Sequence, residues 1–230
     1  MPSRSRHALV AAIAVLFLAL PAAALWMRLT VHFLATFNQT GSPGGQPPLA
    51  ADSGAISTIG PGFSVTPVAG GGGALLVEGS GLPIDSQLTA TFDTVFKGGN
   101  ELVLTWKITP GQGSGSSSCT VGAVEENDSE IIDVTWGGGG FVDVGGQTLA
   151  AYSEGVEYDC KLTLKDVMIG LDTWTLAIDG SDGSEFTASG PLLLAKALVV
   201  EAIKITLPAG SAGSFVFDDI QAASSSMTFK

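Results

Sequence analysis

Residues 129–140 read SEIIDVTWGGGG and hold two carboxylates three positions apart, Glu130 and Asp133. Two carboxyls flanking one glycosidic bond cleave it, about 5 Å apart with retention and about 6.5–9.5 Å apart with inversion. On a regular strand, residues i and i+2 share a face and residues i and i+3 do not. Glu130 therefore lines up with Ile132, Val134 and Trp136, and Asp133 with Ile131 and Thr135. The pair is expected on opposite sides of a sheet unless a bulge shifts the parity.

Other chemistry is thinner. The two histidines are His7 and His32, both near the start, so the body of the chain has none to serve as general base beside a Ser or Cys. Glu157 and Asp159 alternate with Val156, Tyr158, Cys160 and Leu162, the pattern of a solvated strand face. The run DGSDGSE at 179–185 has oxygen ligands for calcium but not the order of an EF-hand loop, and reads as a hairpin turn. A carboxylate set drawn from different strands would use Glu125, Glu126 or Glu157. Aromatic rings stack on sugars. Trp106 and Trp174 share faces with aliphatic residues and read as core. Trp136 and Phe141, on either side of GGGG at 137–140, and Tyr152 near a strand end are the candidate carbohydrate-binding residues.

The elements that must position these groups are short. Runs alternating with period two, rich in Val, Ile, Thr, Phe and Trp, occupy 87–94, 101–109, 130–136, 156–165, 172–179, 198–207 and 213–220. Gly-rich turns at 70–73, 111–118, 137–140 and 179–184 separate them. This spacing predicts an all-β sandwich. Residues 191–198, PLLLAKAL, are the one helix candidate of the body, with Pro191 at a first helical position. Residues 38–54 read as a surface loop.

The first 24 residues read differently. Arg4 and Arg6 precede an apolar run over 8–20, then Pro21 and three alanines, the pattern of a signal peptide helix cleaved before Leu25. An uncleaved membrane anchor is the alternative. The expected organisation is a leader at 1–24, a post-signal segment or first strand at 25–36, a sandwich at 37–221 and a tail at 222–230. Export to the cell surface, the periplasm or the medium follows. The formal charge of −12 argues against nucleic acid and anionic membrane surfaces as partners. Only 14% of residues are charged and 31 are glycine, so much of the surface must be small and polar. Cys119 and Cys160 are the only cysteines. In an exported chain an even count suggests a disulfide, stabilising by about 4 kcal/mol in the chain-entropy model. Two buried thiols are the other reading.

A series of strands in the second half carries a resemblance: GVEYDCKLTL at 155–164, DTWTLAIDG at 172–180, SGPL at 189–192, VVEAIKITLPAGSAG at 199–213 and SFVFDDI at 214–220. It resembles the concanavalin A-like lectin/glucanase superfamily of exported bacterial proteins over roughly 85–220, and more loosely over 37–84. The resemblance implies a jelly-roll β-sandwich of two antiparallel sheets, with sugars, where bound, on the concave face. It implies no catalytic residue here. Glucanases of that kind use a strand E-x-D-x-x-E, against E-x-x-D with Trp136 following in this chain. It also suggests calcium as the one cofactor, at Asp218 and Asp219, or else that these acids simply end the closing strand. The expected function is an exported, non-catalytic carbohydrate-binding or adhesion module whose partner is a glycan. A structural surface domain with a cell-envelope partner is the alternative, and a glycoside hydrolase or lyase a further one.

Overall fold

The computed structural model describes residues 25–37, 53–67, 73–79, 84–98, 101–125, 129–165, 172–192 and 198–229. The expected leader, most of the 38–54 loop and Glu126 lie outside them. The strands in chain order are β1 (Leu25–Ala35), β2 (Ala55–Ile59), β3 (Phe63–Pro67), β4 (Gly73–Glu78) and β5 (Ser86–Phe96). Then come β6 (Glu101–Pro110), β7 (Cys119–Val124), β8 (Glu130–Gly137), β9 (Phe141–Val144) and β10 (Gln147–Ala151). The last are β11 (Tyr158–Lys165), β12 (Thr173–Gly180), β13 (Glu185–Pro191), β14 (Val200–Leu207) and β15 (Ser214–Phe229). A single 3-10 turn, Ser114–Ser116, is the only helical element among the described residues.

These strands form two antiparallel sheets. The first runs β13-β12-β11-β6-β15-β4-β3, with β1 also paired to β15. The second runs β10-β9-β8-β7-β14-β5-β2. The chain passes from one sheet to the other at β1–β2, β2–β3, β4–β5, β5–β6, β6–β7, β10–β11, β13–β14 and β14–β15, the crossing pattern of a jelly roll. The expected all-β sandwich is what the chain folds into.

Alternation explains why each run is a strand. Along β6, Leu102, Leu104, Trp106 and Ile108 are buried, and the residues between them face out. On β11 the buried set is Tyr158, Cys160, Leu162 and Leu164, and on β12 it is Trp174, Leu176 and Ile178. In the second sheet the inward residues are Cys119, Val121 and Ala123 on β7, Ile132, Val134 and Trp136 on β8, and Ile203, Ile205 and Leu207 on β14. Each fully buried Leu or Ile stabilises by about 1.5–3 kcal/mol relative to exposure. All three of these tryptophans lie in the core, as their shared faces require.

His32 ties the two sheets together. It is 4% exposed, between the rings of Phe92 and Phe96. Its Nδ1 meets the backbone oxygen of Thr94 on β5, and its Nε2 lies 2.7 Å from Ser224 Oγ on β15. A carbonyl only accepts, so Nδ1 carries the proton of that bond.

Three expectations need correction. Residues 222–229 are not a loose tail: they continue β15 and pair with β1 from Leu25↔Phe229 to Phe33↔Ala222. Pro191 closes β13 instead of opening a helix, and residues 193–197 lie outside the described residues. Cys119 and Cys160 are separate buried thiols, not a disulfide. Cys119 sits in the second sheet beside Trp136, and Cys160 in the first beside Trp106. Packed sheets stand about 10 Å apart, whereas a disulfide needs Cα atoms about 4.4–6.8 Å apart.

Candidate functional site

The outer face of the second sheet carries a set of polar side chains in register. Facing pairs put Lys204 beside Gly122, and Gly122 beside Asp133. One step along, Thr206, Thr120, Thr135, Asp143 and Thr148 form a row across five strands.

The opening pair of acids behaves differently from its spacing. Ala123 pairs with Ile132, but Val124 pairs with Glu130, so Ile131 is one extra residue in β8. This is a β-bulge, and it resets the alternation. Ile131 and Ile132 both turn to the core, and Glu130 comes out on the same face as Asp133. A Cβ added at Gly122 would stand 3.7 Å from Glu130 Cγ and 3.8 Å from its Cδ, so the Glu130 side chain lies across the gap that Gly122 leaves. Opposite faces are thereby corrected to one face. Two neighbouring isoleucines are the trace of the bulge in the sequence, because an alternating strand does not place two adjacent residues inward.

Around the acids runs a directed hydrogen-bond chain. The Thr135 hydroxyl donates to Asp133 Oδ2 at 3.3 Å. Its single proton being used, Thr135 accepts from Thr120 Oγ1 at 3.0 Å. Asp133 keeps further lone pairs to accept from a ligand. Lys204 is only 8% exposed although it points out of the sandwich, and Gly122, Val124 and Ala202 beside it are also buried. The middle of this face is therefore shielded by its surroundings.

Of the three expected sugar-stacking residues, the structure presents one. Phe141 is 43% exposed, at the start of β9 and opposite Gly137. It shares the outer face with Asp143, two residues on. The turn that delivers it needs positive φ at Gly139 and Gly140, which suits glycine alone at low cost. Trp136 is fully buried, with ring centroids 5.3 Å from Tyr152 and 5.1 Å from Tyr158. Tyr152 is buried beside it, and burial raises its phenol above the ordinary value. These two are corrected to core residues, because the loop ends fold over them.

The other candidate residues are dispersed. Asp218 Oδ1 accepts from the Asp219 backbone N–H at 2.9 Å, and Asp219 lies 3.4 Å from Lys107 Nζ. They stand at an irregularity of β15, with Asp219 at φ 50°, on the first sheet. Burial raises the Asp218 carboxyl above its usual range, with the Asp219 charge adding to it. Among the described residues, no three His, Cys, Asp or Glu side chains are grouped for a metal ion. Glu125 follows β7 and Glu157 precedes β11. The 3-10 turn leads into the start of β7, and Tyr158 pairs with Ile108 near the end of β6 that feeds that turn. Glu157 is thus at the turn end of the sandwich and Glu125 at the other, so they share no site.

A second feature adjoins Asp133. A cleft of about 250 Å³ opens at the sandwich edge, lined by Ile131, Asp133, Gln147, Trp174, Pro191 and Leu192 among others. Sequence reading missed it because its walls come from both sheets. It missed Lys204 and Thr120 for a similar reason, since only strand register puts them beside Asp133.

No family model matches the chain, and no curated protein matches it in sequence. Solved structures do match in shape. The marine PL-14 alginate lyase of Aplysia kurodai superposes with TM-score 0.57 at 10% identity, covering 73% of this chain and 89% of that one. The CBM2 module of the evolved Dit of Lactobacillus casei BL23 phage J-1 gives 0.55 at 9%, covering 89% and 99%. A Lotus tetragonolobus seed lectin gives 0.51 at 12%, covering 78% and 95%. The chain therefore has the concanavalin A-like jelly-roll fold, one shared by lectins, binding modules and lyases.

Proposed function

We propose that this chain is an exported, non-catalytic carbohydrate-binding module that holds a glycan against the outer face of its second sheet. The observation that carries the reading is Phe141. It is exposed on that face, two residues from Asp143, beside the Thr120–Thr135–Asp133 hydrogen-bond chain. A sugar ring needs an apolar platform for its C–H face and directed polar groups for its hydroxyls, and here both stand together. The fold supports the reading, since lectins and a CBM2 module share it. Export is supported by the basic, apolar and small-residue pattern of residues 1–24.

A glycan array probed with the purified protein tests this. Binding to a defined glycan that is lost in Phe141→Ala is the expected result. Binding to no glycan would overturn it and leave a structural surface domain.

One observation favours a second reading, glycoside hydrolysis. The bulge at Ile131 brings Glu130 and Asp133 to one face, as a carboxylate pair must be. Sugar release from a polysaccharide panel, abolished by Glu130→Gln, is the result that would establish it.

A further inference from the structure

The edge cleft beside Asp133 is formed by both sheets. One wall is the β9–β10 hairpin, where Gly145 N–H donates to the Asp133 carbonyl at 3.2 Å. The other is the end of β13, where Leu192 N–H donates to the Asp172 carbonyl at 2.7 Å. Trp174 lies between them. A Cβ at Gly190 would stand 2.9–3.0 Å from three atoms of its indole, so strand β13 passes close against the ring only because residue 190 is glycine.

The lining is about evenly polar and apolar: Trp174, Pro191, Ile131 and Leu192 stand beside Asp133, Gln147 and Gly145. Its volume, about 250 Å³, is below the roughly 300–1,000 Å³ of pockets that take drug-sized ligands. It suits one ring with an apolar face and hydroxyls at its rim. Asp133 lines the cleft, and its carboxylate accepts from Thr135 on the adjoining sheet face, so a chain lying on that face would reach the mouth of the cleft at its end.

Charge narrows the class. Asp133 lines the cleft, and Glu130 and Asp143 stand on the same outer face. Among the described residues the lysine of this face is Lys204, which is 8% exposed, and the whole chain carries −12. A uronate would place its carboxylate against these acids, at a Coulomb cost that partial burial enlarges. A hydroxyl or amino group would instead donate to Asp133.

We propose that the edge cleft receives the terminal ring of a neutral or amino sugar chain, an inference that rests on the adjoining face being glycan-binding. The chain end, not only the chain's flank, is then recognised, and uronates are rejected.

Methyl glucoside, glucosamine and glucuronate are titrated into the labelled protein while the Trp174 indole N–H resonance, assigned with Trp174→Phe, is followed. The glucoside or glucosamine should shift it, and glucuronate should bind at least 10-fold more weakly. Gln147 is exposed, so Gln147→Ala keeps the fold and should weaken the response about 10-fold. A response undiminished in that variant, or glucuronate binding as tightly as the glucoside, overturns the proposal. No response to any of the three, with Phe141-dependent polymer binding intact, overturns the cleft and leaves the face. Failure of both overturns the cleft together with the glycan-binding reading.

Discussion

Glu130 and Asp133 stand on the same outer face of the second sheet although three positions separate them. Ile131 is responsible. As a bulge residue it turns inward beside Ile132, and every residue before it changes side. The Glu130 side chain then reaches over Gly122, whose opposite neighbour is Asp133. One inserted residue thus changes what the strand offers a ligand.

Phe141→Ala tests the platform. The ring is partly exposed, so its loss should change stability by no more than about 0.5 kcal/mol. The lost apolar contact with a sugar, about 1.5–3 kcal/mol if fully covered, corresponds to a roughly 10- to 150-fold weaker Kd by calorimetry. An unchanged Kd would remove Phe141 from the site.

Asp133→Asn and Glu130→Gln separate binding from hydrolysis. Asn still accepts through its amide oxygen but without the charge that roughly doubles the bond, so Asp133→Asn should weaken glycan binding by about 1 kcal/mol, roughly 5-fold. Glu130→Gln should leave a binding module's affinity within a few-fold. Chromatography of reducing ends in the same samples shows whether any sugar is released.

His32→Phe keeps a ring of similar size between Phe92 and Phe96 but leaves the Thr94 carbonyl and Ser224 without their partner. An orphaned buried polar group costs about 1–3 kcal/mol. The urea midpoint should fall accordingly with an unchanged slope, and glycan affinity should not move, since His32 lies in the interior. A midpoint within error of the parent would show that the bridge between the sheets contributes nothing.

The thiols make an alkaline prediction. Burial pushes Cys119 and Cys160 well above the ordinary thiol value of 9.0. Above that pH the unfolded chain releases thiol protons that the native chain retains, so unfolding is favoured and stability falls as pH rises. Tyr152 adds to the trend above 10.0, its phenol being raised chiefly by burial. Urea midpoints at pH 7.5 and 10 should show the loss, and a Cys119→Ala, Cys160→Ala chain should show less of it. A thiol reagent should label two cysteines per chain in denaturant and almost none in the native state; two absent thiols in denaturant would restore the disulfide.

The strands are legible in the sequence because each carries its own signal. Leu102, Leu104, Trp106 and Ile108 alternate with residues that tolerate water, and so do Trp174, Leu176 and Ile178. That periodicity is local, and it determined the all-β class, most strand positions and the core status of Trp106 and Trp174. Where a local rule had an exception, reading failed. Trp136 and Tyr152 sit next to loops, where exposure depends on what folds over them, and the sandwich closes over both. Residues 222–229 are small and polar enough to pass for a tail, yet pairing with β1 makes them a strand.

The amino-acid sequence by itself thus determined the sandwich and placed two acids and an aromatic around one Gly-rich turn. Only the tertiary structure decided which of these share a surface. Register put Lys204, Gly122 and Asp133 in line, the bulge brought Glu130 to them, and packing of the sheets set Trp174 beside Asp133 at the edge. Those relations join residues distant along the chain through hydrogen-bonded pairing and burial. The alternation within a single strand says nothing of the strand that will lie beside it.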